Sequence, residues 1–278
     1  IFSSFRDIIV VKENFMSKKY KIIDTLSRVE FGELKQCEFE SYKQFVKKYK
    51  WFENVFFSFE LANKSVKQFK DFEKHINSKE NKYDINEIHT TGLYHITSLV
   101  LFLRLFIDNS KSYSTKVSSE CKLFIKKTEK NPSIKILKAL RDYSQHYHLP
   151  VENTHRVYDI FNETMTTKFI ITKSDLLKNK ENKRNLAIIE QYPDDEINIG
   201  EKIDEWFQSI TLLMENILEE FTSNISEETK NILRNKFGWI QSKDKKYFLN
   251  SVVEEGEYYP EIYYSTEPRV LNVILMMI

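Results

Sequence analysis

The chain has 278 residues, of which 41% are hydrophobic and 14% aromatic, so it is long and apolar enough to bury the core of at least one domain. Its 42 Lys and Arg residues nearly balance 41 Asp and Glu residues, and the net charge of +1 excludes a protein whose overall charge would attract nucleic acid or a membrane. Only five glycines and five prolines are present, whereas β-rich folds need such residues at their many turns. The composition therefore favours long helices.

The cysteine content and the start of the chain favour a cytoplasmic protein without a cofactor. Cys37 and Cys121 are too few for a disulfide framework or a zinc site, so we expect two buried thiols. Residues 1–15 lack the basic leader and cleavage site of a secretory signal. Because MSKKYK, beginning at Met16, is typical of a natural start, residues 1–15 are predicted to be an upstream extension. No metal ligand set with suitable spacing is present in the sequence.

Residues 1–44 are assigned to an N-terminal extension and helical lead-in, and helices are predicted after them. Between Phe52 and Ile76, apolar residues recur mostly at spacings of three, four and seven, which indicates an amphipathic helix. A second helix is predicted over residues 85–109, with Asn86 as its N-cap. Its run ITSLVLFLRLFI is too short to span a bilayer and contains Arg104, so we interpret it as a buried core helix.

Four further helices and a β-hairpin complete the prediction. A helix over residues 119–128 precedes IKILKALRDYSQHYH, which Ser133 is expected to cap and Pro150 to end. Val, Ile, Thr and aromatic residues predict a β-hairpin over 156–172, and helices follow over 203–223 and from Ser226. We therefore predict a mainly α fold. Residues 45–225 form an up-and-down helical bundle with a small β-hairpin insertion, and residues 226–278 form a C-terminal helix with an irregular aromatic tail.

The segment RDYSQHYHLP, residues 141–150, places an arginine and two histidines at the end of a predicted helix. Arg141 and His146 are five positions apart, which separates them by roughly 140° around an ideal helix. Arg141 and His148 are seven positions apart and lie within roughly 20° of one face, provided the helix persists to position 148. Ser144 lies between them. Arg141 and His148 are therefore expected to line one groove, which His146 joins if the helix frays before Pro150.

Such residues suit metal-independent cleavage of RNA by its own 2′-hydroxyl. The reaction needs proton transfer near neutral pH, which an imidazole provides. It also needs a cation on the phosphate as negative charge develops, and a guanidinium can bind two phosphate oxygens at once. Arg141 and His146 supply one group of each kind. His148, or a histidine from a second copy, is a candidate for the complementary proton transfer.

The stretch LRDYSQHYHLPV, residues 140–151, resembles the R-x4-6-H motif of the HEPN superfamily, since Arg141, the polar Asp142 and His146 follow in the family's order. It is similar to the LRNYxQHxGLP version found in many bacterial HEPN-like proteins. The resemblance, over roughly residues 45–225, implies a helical bundle and a metal-independent endoribonuclease. It implies that the motifs of a homodimer meet in a composite cleft, with Arg141 on phosphate and His146 in proton transfer. It also implies a stress, toxin or phage-defence effector.

The segment departs from the family pattern at three positions. Asp142 stands where Asn is more common, and His148 stands where Gly often occurs. A tyrosine two places after the histidine is modified by a partner nucleotidyltransferase in one toxin branch, whereas Tyr147 is one place after. An antitoxin or nucleotidyltransferase therefore remains a candidate partner. Asp142, Ser144, Tyr147 and His148 are candidates for supporting roles.

A second class of function also fits the sequence. A non-catalytic helical module would use the same surface to bind nucleotide, RNA or a partner protein. Arg and His do not require catalysis at this position, because cations in the last turn of a helix interact favourably with the helix dipole. The Lys-rich aromatic segment between positions 47 and 74 is either an RNA-binding stripe or the solvated face of an amphipathic helix. The remaining histidines are interpreted as ordinary polar or core residues: His75, His89, His95 and His155.

Overall fold

The computed structural model describes most of the chain and divides it into two compact units. The described residues are 19–24, 29–78, 81–146, 148–179, 183–237, 250–254 and 264–278. Unit one comprises Ile1–Val46 and Ser226–Leu275, and unit two comprises Lys47–Ile225 and Met276–Ile278. The predicted extension at residues 1–15 lies outside the described residues. The prediction of a mainly α fold with small β elements is confirmed.

The elements follow one another in mixed order along the chain. They are β1 (Tyr20–Asp24), β2 (Glu30–Leu34), α1 (Gln36–Ile76), α2 (Ile85–Lys116), α3 (Cys121–Lys130), α4 (Pro132–His146), β3 (Asn153–Asp159), β4 (Thr164–Thr172), α5 (Lys173–Lys178), α6 (Lys183–Glu190), β5 (Glu196–Asn198), α7 (Ile199–Ser223), α8 (Glu227–Ile232), a π-helical turn (Leu233–Phe237), β6 (Asn250–Glu254), β7 (Tyr264–Thr266) and α9 (Pro268–Met277).

Unit one contains an antiparallel sheet with the strand order β2-β1-β6-β7. Aromatic rings build its core, since Tyr20 stacks on Phe39 at 3.8 Å and Tyr42 stacks on Phe237 at 4.9 Å between ring centroids. Ser226 is confirmed as the cap of α8, where its hydroxyl accepts a hydrogen bond from the Thr229 backbone. Strands β6 and β7 and helix α9 stand in the segment that we had described as an irregular tail.

Unit two is organised around the long helices α1, α2 and α7. Their contacts are largely aromatic: Phe52 of α1 stacks on Phe221 of α7 at 4.3 Å, and Phe59 of α1 packs against Phe106 of α2 at 5.5 Å. Trp206 of α7 is fully buried. Since aromatic side chains bury large apolar areas, the phenylalanine-rich composition accounts for how so few helices enclose a core.

The predicted β-hairpin is confirmed as the antiparallel pair β3–β4, which is in register from Asn153 opposite Ile170 to Asp159 opposite Thr164. The short strand β5 extends it to a three-stranded sheet, with Ile171 of β4 opposite Ile197. Strand β5 was not predicted, because three residues are too few to show a period-two pattern.

Four predicted helix boundaries were wrong, two of α2 and two of α4. The N-cap of α2 is Asp84, not Asn86: Asp84 forms a reciprocal capping box with Glu87. Helix α2 continues to Lys116, because hydroxyls such as Ser112 and Thr115 bond back to carbonyls within the helix instead of ending it.

The other two corrections concern α4. The helix begins at Pro132, and the Asn131 side chain, not Ser133, accepts the capping hydrogen bond, from the Ser133 backbone N–H at 3.0 Å. At its other end, α4 stops at His146, four residues before Pro150. The helix therefore does not reach position 148.

Helix α2 is long and apolar enough to meet a length-and-composition test for a membrane span, with a mean hydropathy of 1.4 over 18 residues. However, 44% of that window is buried within the protein, and Leu99, Leu103 and Phe106 are fully buried. The core helix of a globular protein passes the same test, so the result is weak evidence for a membrane. The prediction that this apolar run is a core helix is confirmed.

Candidate functional site at the end of helix α4

Helix α4 is fixed to α7 at its first turn. The buried Trp206 indole donates a hydrogen bond to the Ser133 carbonyl at 2.8 Å, and the Asn131 amide donates one to Ser209 at 3.0 Å. The Ser133 hydroxyl also bonds the carboxylate of Glu205, and this bond is the largest cause of the lowered pKa of Glu205. These contacts give α4 a defined position, so its other end is presented from a rigid element.

The last turns of α4 combine a buried face with an accessible one. Leu137, Leu140 and Tyr143 are buried, whereas Arg141 and His146 are partly or largely exposed. The Tyr143 carbonyl accepts a hydrogen bond from the backbone N–H of His148 at 3.2 Å, which closes the helix end. Neither Arg141 nor His146 therefore serves as a core residue.

Arg141 is held between two carboxylates. Its Nη1 atom donates to Asp142 Oδ1 at 2.8 Å, and its Nη2 atom lies 3.9 Å from Asp108 Oδ2 on α2. The second distance is too long for a hydrogen bond, so the Asp142 bond occupies one of five N–H donors. The Arg141 side chain is 29% exposed. The guanidinium is therefore partly neutralised but keeps donors that can reach a ligand.

Asp108 links Arg141 to a charged network below the surface. It pairs with the buried Arg104 at 2.9 Å, and Arg104 pairs with Glu129 of α3 at 3.3 Å. Lys111 also donates to Glu129 at 2.6 Å. Although burial raises the pKa of Glu129, hydrogen bonds from Lys111 and Arg104 outweigh it and hold that pKa below its usual value. The network joins α2, α3 and α4, and sequence analysis missed it because Glu129 and Arg141 are far in the chain from the α2 residues that they contact.

The structure does not bring Arg141 and His146 together within one chain. His146 is exposed at the last residue of α4, and within the described residues no hydrogen bond joins it to Arg141. On a regular helix their offset is about 140° around the axis and about 7.5 Å along it. Arg141 faces Asp108 of α2. Convergence of the two groups on one phosphate therefore requires a second copy or a ligand that spans both.

The four supporting residues differ in their surroundings. Ser144 donates its hydroxyl to the Leu140 carbonyl at 2.6 Å, so its proton is used within the helix. Tyr147 lies outside the described residues. His148 lies beyond the last residue of α4, so the condition under which it would share the Arg141 face, a helix that persists to position 148, is not met. Asp142 contacts Arg141, which agrees with an orienting role.

A carboxylate pair that sequence analysis missed lies next to His148. Asp175 at the start of α5 accepts hydrogen bonds from Thr172 and Lys178, and Glu152 shares a hydrogen bond with it. The pKa of Glu152 is raised, chiefly by that hydrogen bond, while nearby Lys178 and His148 act in the opposite direction. The pair is brought together by the β3–β4 hairpin, so residues 152 and 175 give no local sequence signal.

The structure gives little support to the other candidate sites. Within the described residues, no group of three or more His, Cys, Asp or Glu side chains is placed to hold a metal ion. In the Lys-rich segment of α1, Phe52 and Phe69 are fully buried and cannot stack on RNA bases. His89 contacts the Thr154 hydroxyl at 2.8 Å, and burial lowers the pKa of His95 beside Phe72.

Comparisons with protein-family models, with curated proteins and with solved structures returned no match to this chain. The case for any function therefore depends on the residues at the end of α4 and on their surroundings.

Proposed function

We propose that the protein is a HEPN-like, metal-independent endoribonuclease acting in the cytoplasm as a stress, toxin or phage-defence effector. One observation supports this proposal most strongly: Arg141 and His146 lie accessible on the last turns of a helix whose other end is fixed in the core. In this proposal Arg141 binds the scissile phosphate. His146 transfers a proton during attack of the 2′-hydroxyl on phosphorus, and the 5′-oxygen leaves with a proton.

The proposed active form is a homodimer with a composite site. A single chain presents the guanidinium and the imidazole on different sides of α4, so one chain supplies one proton-transfer group at a given phosphate. Two motifs that face each other would provide two imidazoles, one as base and one as acid, and two guanidiniums. The proposal therefore predicts that cleavage depends on protein concentration in the range where the dimer dissociates.

A second candidate function is a non-catalytic module that binds RNA, nucleotide or a partner protein at the same surface. One observation favours the partner-protein form of this module: Arg141 is already paired with Asp142 at 2.8 Å and lies 3.9 Å from Asp108, so two carboxylates compete with a phosphate for the guanidinium. In that case Arg141 contributes to binding and to the network of α2, and His146 has no role in chemistry.

The deciding experiment measures cleavage of single-stranded RNA in EDTA by wild type, His146→Ala and a matched control, Gln145→Ala. Gln145 is the exposed neighbour of His146, so its truncation reports any non-specific effect on the helix end. Loss of general acid–base catalysis is expected to reduce the rate by about 100-fold or more in His146→Ala only. Equal cleavage by wild type and His146→Ala would exclude His146 from the mechanism. If wild type binds the RNA but does not cleave it, the second candidate function is favoured.

Asp142→Asn tests whether RNA phosphate reaches Arg141. Asparagine keeps an oxygen that can accept from Arg141, but it removes one negative charge from the site. A like charge at about 6 Å in water costs about 0.7 kcal/mol, so RNA binding should tighten about threefold. Unchanged RNA binding in Asp142→Asn would place the RNA elsewhere. The measurement is fluorescence anisotropy of labelled RNA, with Lys138→Ala as a control on the same helix.

A further inference from the structure

The turn between β3 and β4 holds two large apolar side chains in solvent. Ile160 is 77% exposed and Phe161 is 98% exposed. The turn is well ordered by hydrogen bonds: Asp159 accepts from the Phe161 backbone at 2.9 Å and from the Asn162 side chain at 2.7 Å. Because apolar side chains normally leave water where they can, a turn that fixes both outward is typical of a contact surface. We refer to residues 159–163 as the hairpin tip.

A groove in the same unit provides an apolar surface of suitable size. It lies between α3, the start of α4 and α7, and its volume is about 760 Å³, within the usual range for a site that accepts side chains or a ligand. Leu123 and Leu212 are 73% and 56% exposed at its edges. We refer to it as the α3–α7 groove, and its lining residues used below are Leu123, Phe124, Lys127, Lys130, Leu212 and Leu213.

The charges of the two surfaces are complementary. Between positions 157 and 167 the only charged residues are Asp159 and Glu163, and both are acidic. Hydrogen bonds from Asn162 lower the pKa of Asp159, so that carboxylate stays ionised at neutral pH. The charged residues that line the groove are Lys127 and Lys130, and neither forms an ion pair with any residue that the structure describes. An acidic apolar tip and a basic apolar groove are suited to each other.

We propose that the hairpin tip of one copy docks into the α3–α7 groove of a second copy, with Phe161 and Ile160 against Leu123 and Leu212. The tip cannot already occupy its own groove, since Phe161 is almost fully exposed. The acidic tip disfavours the alternative of an anionic membrane surface. The inference does not depend on the proposed ribonuclease function, and it concerns a contact that leaves Arg141 and His146 outside both surfaces.

Tip and groove are different surfaces, so this contact is heterologous. Each copy keeps an unused tip or an unused groove unless the assembly closes into a ring or a reciprocal pair. This property makes the contact testable by complementation. A variant with a defective tip still offers a groove, and a variant with a defective groove still offers a tip.

The experiment uses Phe161→Asp and Leu212→Glu in the full chain, followed by sedimentation velocity over a range of concentrations. Both side chains are exposed, so neither change disturbs the core, and circular dichroism checks that each variant is folded. Wild type is expected to associate more strongly than the double variant, which carries both Phe161→Asp and Leu212→Glu. Each single substitution is expected to weaken the association by about 30-fold or more, as at interface hot spots. An equimolar mixture of the two variants is expected to regain one tip–groove contact and form pairs that grow no further.

Three results would overturn the proposal. They are the absence of wild-type association beyond that of the double variant at any accessible concentration, association of both single variants as strong as that of wild type, and a mixture that behaves as the sum of its parts. Binding of wild type and Leu212→Glu, but not Phe161→Asp, to neutral lipid vesicles would assign the tip to a membrane instead. Lys127→Glu with Lys130→Glu provides a second groove variant. Its self-association is expected to be weaker than that of wild type, and the difference is expected to depend on salt concentration, because salt screens the charges of tip and groove.

Discussion

Gly92 in α2 lies against the ring of Phe169 in β4, and we predict that Gly92→Ala destabilises the protein. A Cβ atom at position 92 would lie 2.0 Å from Phe169 Cε1 and 2.5 Å from Phe169 Cζ, far inside any real carbon–carbon contact. Phe169 is fully buried, with the rings of Phe69 and Phe72 at 5.8 and 6.4 Å. Because those rings occupy the space around it, Phe169 cannot swing aside without disturbing the core.

The magnitude follows from two opposing terms. Alanine is more favourable than glycine in a helix interior by about 1 kcal/mol. Overpacking a close-packed core typically costs about 1–3 kcal/mol, and a 2.0 Å contact belongs at the upper end of that range. The net effect of Gly92→Ala is therefore a loss of about 1–2 kcal/mol in the free energy of unfolding.

The assay is thermal and urea unfolding followed by circular dichroism. A loss of about 1–2 kcal/mol should lower the Tm by about 2–8 °C for a chain of this size. Gly200→Ala in α7 is the matched control, because its Cβ would meet the flexible end of Glu73 at 3.3 Å, and we expect an effect between zero and a gain of about 1 kcal/mol. Phe169→Leu should relieve part of the strain in Gly92→Ala. A Gly92→Ala variant as stable as wild type would refute the packing of β4 on α2.

Further predictions concern a helix cap, a buried thiol and an acid-sensitive carboxylate. Asp84→Ala should destabilise α2 by about 1 kcal/mol in urea unfolding, whereas Asn86→Ala, at the cap position predicted from the sequence, should be near neutral. Cys121 is buried as expected, but Cys37 is exposed, so the expectation of two buried thiols was wrong for Cys37. Burial raises the pKa of Cys121 to about 12, so at pH 8 an aromatic disulfide reagent should titrate Cys37 alone in the native protein and both thiols after unfolding. Two thiols that react fast in the native protein would contradict the burial of Cys121. Burial raises the pKa of Asp175, but hydrogen bonds from Glu152, Lys178 and Thr172 outweigh it and bring the pKa to about 2, below the usual 3.8. Its contribution to stability is therefore present above pH 4 and lost as pH falls towards 2, and Asp175→Asn should flatten the pH dependence of Tm over that interval.

Helix positions could be predicted from the sequence because periodicity is a local property. The apolar residues of α1, α2 and α7 recur with helical spacing and are the ones buried in the structure, as with Phe52, Leu103 and Trp206. The β3–β4 hairpin was predictable for the same reason, since β-branched and aromatic residues lie on both sides of its turn. Errors arose at helix ends, where the choice between Asp84 and Asn86 as the cap depends on the few hydrogen bonds of the capping box.

Contacts between distant segments could not be predicted from the sequence. Asp108 approaches Arg141 because α2 and α4 are neighbours, and nothing in the segment around either residue indicates the other. Glu152 meets Asp175 because the hairpin returns the chain to the end of α4. The length of α4 is a smaller case: Pro150 limits the helix, but the chain turns away at His146, and this turn removed His148 from the predicted face.

The surroundings of Arg141 set a condition on the proposed chemistry. Its guanidinium already bonds Asp142 at 2.8 Å and has Asp108 at 3.9 Å, so an arriving phosphate must attract it more strongly than these carboxylates do. A unit-charge pair at about 4 Å is worth about 1 kcal/mol in water and about 4 kcal/mol near a protein surface. On this scale a dianionic transition state attracts the guanidinium more strongly than one carboxylate does. A ground-state phosphodiester carries a single charge and gains no such advantage. Arg141 would therefore contribute more to the transition state than to substrate binding, which is the condition for catalysis. It follows that Arg141→Ala should lower the cleavage rate more than it weakens RNA binding, whereas a pure binding module would lose binding alone.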